Sequence, residues 1–149
     1  MNRLNPVLKQ RQNGSVLSVW TAAIWALVNF ALLQPVNADE FTQADTDRWQ
    51  EQFNAVADDG RALWTSPDLG TNGVVCAQCH PNGANTHLET YPKFQKQMGR
   101  VVAIWEMINW CIRNPLEGKP LAADDPKMIA IQAYLAKERA GVQLAPGKH

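Results

Sequence analysis

No second pair of cysteines is present: the 149 residues hold only Cys76, Cys79 and Cys111, so nothing can complete a tetrahedral zinc site built on cysteine. No stretch alternates apolar and polar residues convincingly enough to read as a strand, which argues against a sheet-based fold. A basic surplus is also missing. The 14 Lys and Arg equal the 14 Asp and Glu, and three of the basic groups fall in residues 1–38, where there is no acidic one. The remaining 111 residues thus carry 11 basic against 14 acidic groups, which excludes the basic face a nucleic-acid binder needs. A weakly acidic protein of this kind meets its partners through a local charge pattern rather than a global field.

What the chain does have is the pentad Cys76-Ala77-Gln78-Cys79-His80. Two thiols separated by two residues and followed at once by histidine form the attachment site of a c-type haem. The thiols add across the haem vinyl groups and the imidazole becomes the proximal iron ligand. A structural disulfide, a thioredoxin-like redox pair and half of a zinc site are the competing readings. Pro81-Asn82-Gly83 after the pentad is turn chemistry, not the helix that activates a thioredoxin cysteine. One covalently bound haem c is therefore expected.

Residues 1–38 read as an export signal. Arg3, Lys9 and Arg11 precede an apolar stretch, Val16 to Leu33, and Val36-Asn37-Ala38 ends in small residues like a cleavage site. The stretch is about 18 residues, at the margin for crossing a bilayer, so an uncleaved anchor is the alternative, and membrane association is expected only if it is retained. Export places the protein in the periplasm. Residues 39–149 suit a single cytochrome c domain in which haem supplies much of the core.

Trp49, Phe53, Val56, Gly60 and Leu63-Trp64 recur at spacings of three and four, predicting a helix from about Ala44 to Trp64 that Thr65-Ser66-Pro67 stops. Val101, Ile104, Trp105, Ile108 and Cys111-Ile112 predict a second, from about Arg100 to Arg113, ended by Asn114-Pro115. A third opens with Asp125 as cap and Pro126 in the first position, with Met128, Ile131, Tyr134 and Leu135 on its apolar face. The expected fold is all-α: a small cytochrome c fold of three main helices and long loops around one haem. Of the tryptophans after residue 38, all four are expected in the core, with exposure of Trp105 or Trp110 as a docking face the alternative.

Cys111 cannot pair with either motif cysteine once haem is attached, and an odd thiol in an exported chain calls for a role. It could be a buried hydrophobe, one half of an intermolecular disulfide, or the distal iron ligand. Helical spacing sets it beside Ile104, Met107 and Ile108, and a thiolate there would favour ferric iron and lower the reduction potential. Met98, Met107, Met128 and His87 are its rivals. Met128 falls in the first turn of the last helix, with little loop to carry its sulfur across a haem face. Met98, beside Gly99, is the better methionine, and His87 lies in a loop where histidine is usually solvated. The residues alone leave Cys111, a methionine, His87 and an open site as alternatives.

Over roughly 60 residues from Cys76 onward, the chain resembles the haem domain of the A subunit of the Sox sulfur-oxidising cytochrome and the first haem domain of the dihaem thiosulfate dehydrogenases. The pentad carries the resemblance together with Tyr91-Pro92 and Phe94, Gly99-Arg100, Ile108-Asn109 and Cys111, Gly118-Lys119-Pro120-Leu121, and Met128 with Ala130-Ile131 and Ala133-Tyr134-Leu135. It implies that Cys111, following Ile-Asn and one variable residue, is the axial thiolate. It also implies a departure: those enzymes have an arginine four residues before the cysteine, able to hold an anionic sulfur substrate, where this chain has Met107. Arg113, two residues past Cys111, falls on another side of the helix. The chain further resembles c-type cytochromes in placing a small residue, Gly60, in the first helix where an aromatic of the last helix, Tyr134, would cross it.

The expected function is single-electron transfer through one haem with His80 and Cys111 as axial ligands and other redox proteins as partners, another cytochrome among them. The alternative is a catalytic or partner subunit in thiosulfate or sulfur-compound oxidation, with Cys111 as both ligand and sulfur acceptor. A third reading is a gas-binding protein in which Cys111 dissociates on reduction.

Overall fold

The computed structural model describes residues 41–149; the expected export signal lies outside the described residues. Helix α1 spans Gln43–Thr65. Its start is fixed by a reciprocal capping box, in which the Thr42 hydroxyl accepts from the Asp45 amide at 3.2 Å and the Asp45 carboxylate accepts from the Thr42 amide at 3.1 Å. Its end is the extended Ser66 followed by Pro67. The haem motif forms a single turn, α2 (Cys76–Cys79). Helix α3 spans Ile104–Arg113 and α4 spans Pro126–Glu138, the latter begun by Asp125, whose side chain accepts from the Lys127 amide at 2.8 Å. Short 3-10 turns at Pro67–Leu69, Pro81–Gly83 and Leu88–Thr90 punctuate the connections.

The second predicted helix begins four residues late. Arg100–Val102 is instead a strand, β2, paired antiparallel with β1 (Lys93–Gln95) so that Phe94 faces Val101 across the ladder. Strands of three residues are too short to show an alternating pattern. Glu106 explains the boundary: its carboxylate accepts from the Ala103 amide at 2.8 Å, capping α3 there, while it also pairs with Arg100 at 2.5 Å.

Helices α1 and α4 cross at Gly60. A methyl group there would collide with the Ala130 carbonyl oxygen and stand 2.9 Å from the Tyr134 Cβ. Ala57, Gly60 and Trp64 are the buried residues of α1, and Trp64 packs on Tyr134 with ring centroids 5.7 Å apart. Around this crossing Ile108, Ile112, Leu116, Met128, Ile131 and Leu135 complete the core, each large aliphatic contributing about 1.5–3 kcal/mol by burial.

Not all four tryptophans are core. Trp49 is 43% exposed and makes an edge contact with Phe41 at 4.9 Å, whereas Trp105 and Trp110 are half-buried. The apolar face of α1 continues N-terminal of the crossing through Phe53 and Val56, and nothing among the described residues buries it there.

Replacing Gly60 with alanine should gain helix propensity of about 1 kcal/mol yet lower stability overall, by about 1–3 kcal/mol, because the collision is with backbone. Urea denaturation of wild type and Gly60→Ala measures it; an unchanged or higher midpoint would show that the crossing can open.

Candidate haem site

A cavity of about 330 Å³, walled mainly by apolar side chains, opens beside α2 and takes in Cys76, Cys79, His80 and Cys111 together. The first three come from α2 and its C-terminal cap: the His80 amide bonds the Cys76 carbonyl at 3.0 Å and the Gln78 side chain caps the Val75 amide at 3.2 Å. Cys111 comes from α3, on the same face as Ile104, Met107 and Ile108, all of which reach the cavity.

His80 is oriented by two contacts that no local pattern reveals. Its Nδ1 lies 2.9 Å from the Ala84 carbonyl oxygen, which can only accept, so Nδ1 carries the hydrogen and Nε2 keeps a free lone pair for a metal. The Trp64 indole N–H donates to the His80 carbonyl at 2.8 Å. The sequence marks Trp64 only as an apolar helix residue, and its polar tip finds its partner 16 residues further on.

Two of the thiols, Cys76 and Cys111, are held toward their protonated form. Burial, reinforced by the nearby sulfurs of Cys111 and Cys79, pushes the Cys76 thiol up to about 11. Burial and then Cys79 also raise Cys111 above its ordinary value. A thioredoxin-type nucleophile needs the opposite shift. All three cysteines are free of disulfides. Two thiols at a surface turn, an imidazole with Nε2 free and a further sulfur on a different helix, gathered around an apolar hollow, fit a covalently attached haem.

The rival ligands fall elsewhere, except one. Met98 lines a different hollow with Arg100, Trp105 and Arg113, so the alternative distal ligand is not brought to the motif. Met128 is fully buried in the core. His87 is exposed and pairs with Glu89 at 3.3 Å. Met107 does reach the cavity, and its sulfur accepts from the Gln97 amide at 3.3 Å. The loops around the cavity are stitched together. Thr71 bonds Leu116 and Glu117, Asn72 bonds Pro115 at 2.9 Å, and Gly118 passes so close to the Leu69 carbonyl that no side chain would fit. Buried Asn109 bonds both the amide and carbonyl of Leu121 at 2.8 Å.

Two helices crossing at a glycine, with the motif turn and His80 tied to them through Trp64, define a small cytochrome c fold. The SoxA/TsdA cytochrome c domain matches residues 59–144, more than half of the chain, and the protein belongs to that family, whose domain carries covalently bound haem c. Thiosulfate dehydrogenase of Allochromatium vinosum is 29% identical over 89 residues, covering 51% of this chain and 33% of its own length. That of Psychrobacter arcticus is 31% identical over 78 residues, covering 47% and 24%. The crystal structure of SoxXA from P. pantotrophus is similar in fold, with a TM-score of 0.54 at 16% identity over 62% of this chain and 36% of that one. The chain thus spans a third or less of the length of the two curated relatives.

A clasp holds the C-terminal segment to the loop after the motif: Arg139 grips Glu89 through contacts of 2.7 and 3.1 Å, and the Ala145 amide bonds the Glu89 carbonyl. Burial raises the Glu89 carboxyl, but Arg139, its own backbone and His87 outweigh that and hold it at about 2. Its unfolded value is about 4.3, so the clasp's stabilisation is complete above that pH and is lost as pH falls through about 2. Wild type should lose stability relative to Glu89→Gln between about pH 5 and pH 2, measured by denaturant titration at each pH; parallel profiles would show that the clasp contributes nothing.

Proposed function

We propose that the domain is an exported, single-haem electron-transfer cytochrome of the periplasm, with thioether bonds at Cys76 and Cys79, His80 as proximal ligand and Cys111 as distal ligand. The observation that carries this is the gathering of Cys76, Cys79, His80 and Cys111 around one apolar cavity. Haem c supplies reversible one-electron chemistry at its iron. His80 offers Nε2 in a fixed tautomer, because Ala84 holds Nδ1. Cys111 offers a sulfur from a helix rather than a mobile loop, a strong ligand for the oxidised haem. Among the described residues no helix is long and apolar enough to cross a membrane. A partner cytochrome is the proposed redox neighbour, in line with the SoxXA complex to which the fold is similar.

A second reading, a catalytic or partner subunit in sulfur-compound oxidation, is favoured by the thiosulfate dehydrogenases among the relatives. Against it stands Met107, an uncharged thioether on the cavity wall where the resemblance implies an arginine for the anionic substrate.

The test of the first reading is twofold. Mass spectrometry of the exported protein should show one added haem, absent from a Cys76→Ser, Cys79→Ser double variant. The oxidised protein should give the low-spin electron paramagnetic resonance signal of histidine and thiolate, lost in Cys111→Ala; an unchanged spectrum removes Cys111 from the iron. The second reading turns on product: tetrathionate formed from thiosulfate by the purified holoprotein would establish it. If the missing cation is the obstacle, Met107→Arg should tighten thiosulfate binding, and no change would dismiss that explanation.

A further inference from the structure

Two sulfur-bearing side chains, not one, line the cavity from α3. Met107 and Cys111 are one helical turn apart and line the same wall, while Met98, Met128 and His87 lie outside it. Resting on the haem reading above, we infer that Met107 is a second distal ligand selected by redox state: Cys111 serves the ferric iron and Met107 the ferrous.

The argument is one of charge. Reduction adds an electron to an apolar cavity whose wall holds a single cationic side chain, Lys93. Arg100 and Arg113, the cations nearest in sequence, line the other hollow. An anionic thiolate kept on ferrous iron in such surroundings has only Lys93 to offset it, and a half-buried charge so weakly compensated is costly. Thiolate ligation favours the ferric state and thioether ligation raises the potential, favouring the ferrous one. Met107 is neutral, unbranched and long enough to adapt its path. Its sulfur accepts from the exposed Gln97 on the β1–β2 turn at 3.3 Å, a weak contact that is given up when the sulfur turns into the cavity.

The exchange balances. One electron enters from a one-electron donor protein; the Cys111 Sγ leaves the metal with its bonding pair and takes a proton from water; the Met107 Sδ donates a lone pair in its place. Oxidation reverses each step, so the net charge around the metal is nearly the same in both states.

Proton magnetic resonance of the fully reduced holoprotein reads this directly, because an axial methionine methyl lies in the haem ring current and resonates far upfield. The wild type should show that methyl signal, Met98→Leu should retain it, and Met107→Leu should lose it. Voltammetry should show oxidation and reduction peaks that separate with scan rate in wild type and merge into one reversible couple in Met107→Leu. A ferric spectrum with the thiolate signature but no upfield methyl on reduction would overturn the exchange and leave Cys111 as ligand. A methyl signal that persists in Met107→Leu would overturn the assignment to Met107. A ferric spectrum without the thiolate signature would sink the underlying ligand set instead.

Discussion

The contact on which the rest depends is the meeting of α1 and α4 at Gly60, where backbone lies against backbone with no room for a side chain. It sets the height at which Trp64, one turn further along α1, enters the core beside Tyr134. From that height the indole nitrogen reaches the His80 carbonyl. Helix crossing and His80 are thus joined by one side chain: its ring is part of the hydrophobic core and its N–H bonds the His80 carbonyl. Separating the helices would cost apolar burial and also release the peptide that carries the histidine.

The far side of the cavity is positioned differently. Cys111 and Met107 stand on α3, which makes few direct contacts with the other long helices, so its place is set through its flanks. At the N-terminal end Glu106 caps Ala103 and ties Arg100 of the hairpin. At the C-terminal end the Pro115–Gly118 segment is bonded to the Gly70–Asn72 loop that leads into the motif. The chain just before the motif is therefore bonded to the chain just after α3, which holds the two sulfur-bearing elements around one cavity. Ordering these loops costs backbone entropy of about 1–2 kcal/mol per residue, which a domain of this size offsets only by burying apolar surface, including that of a bound macrocycle.

Much of this was legible in the residues. The pentad names its own chemistry, and Thr65-Ser66-Pro67 and Asp125-Pro126 mark helix ends through local capping that needs no tertiary partner. The shared face of Met107, Ile108 and Cys111 follows from helical period alone. What was not legible depends on contacts between distant segments. The β1–β2 hairpin is stabilised by pairing of residues 93–95 with 100–102, and three-residue strands carry no periodic signature. The exposure of Trp49 reflects where α4 happens to cross α1, not anything in the helix itself. Met98 sits two residues from β2 and looks well placed on a linear reading, but the hairpin carries it to the opposite flank of α3 from Cys111.

The balance of charge then separates this domain from what its resemblances imply. A site that holds a sulfur dianion needs a cation beside the iron-binding sulfur, and the strongest arrangement is a guanidinium held rigidly one helical turn away. Here that turn carries Met107, and the arginines of α3 and β2 are committed to the opposite face, Arg100 through its pairing with Glu106. An apolar wall discourages anions while doing nothing to impede electrons, which need only orbital proximity and a ligand set that tolerates both oxidation states. Met107 at this position leaves the cavity wall without the guanidinium that such a substrate calls for and supplies a neutral thioether side chain in its place. On the proposed reading, both properties of that one residue suit transfer of electrons better than conversion of thiosulfate.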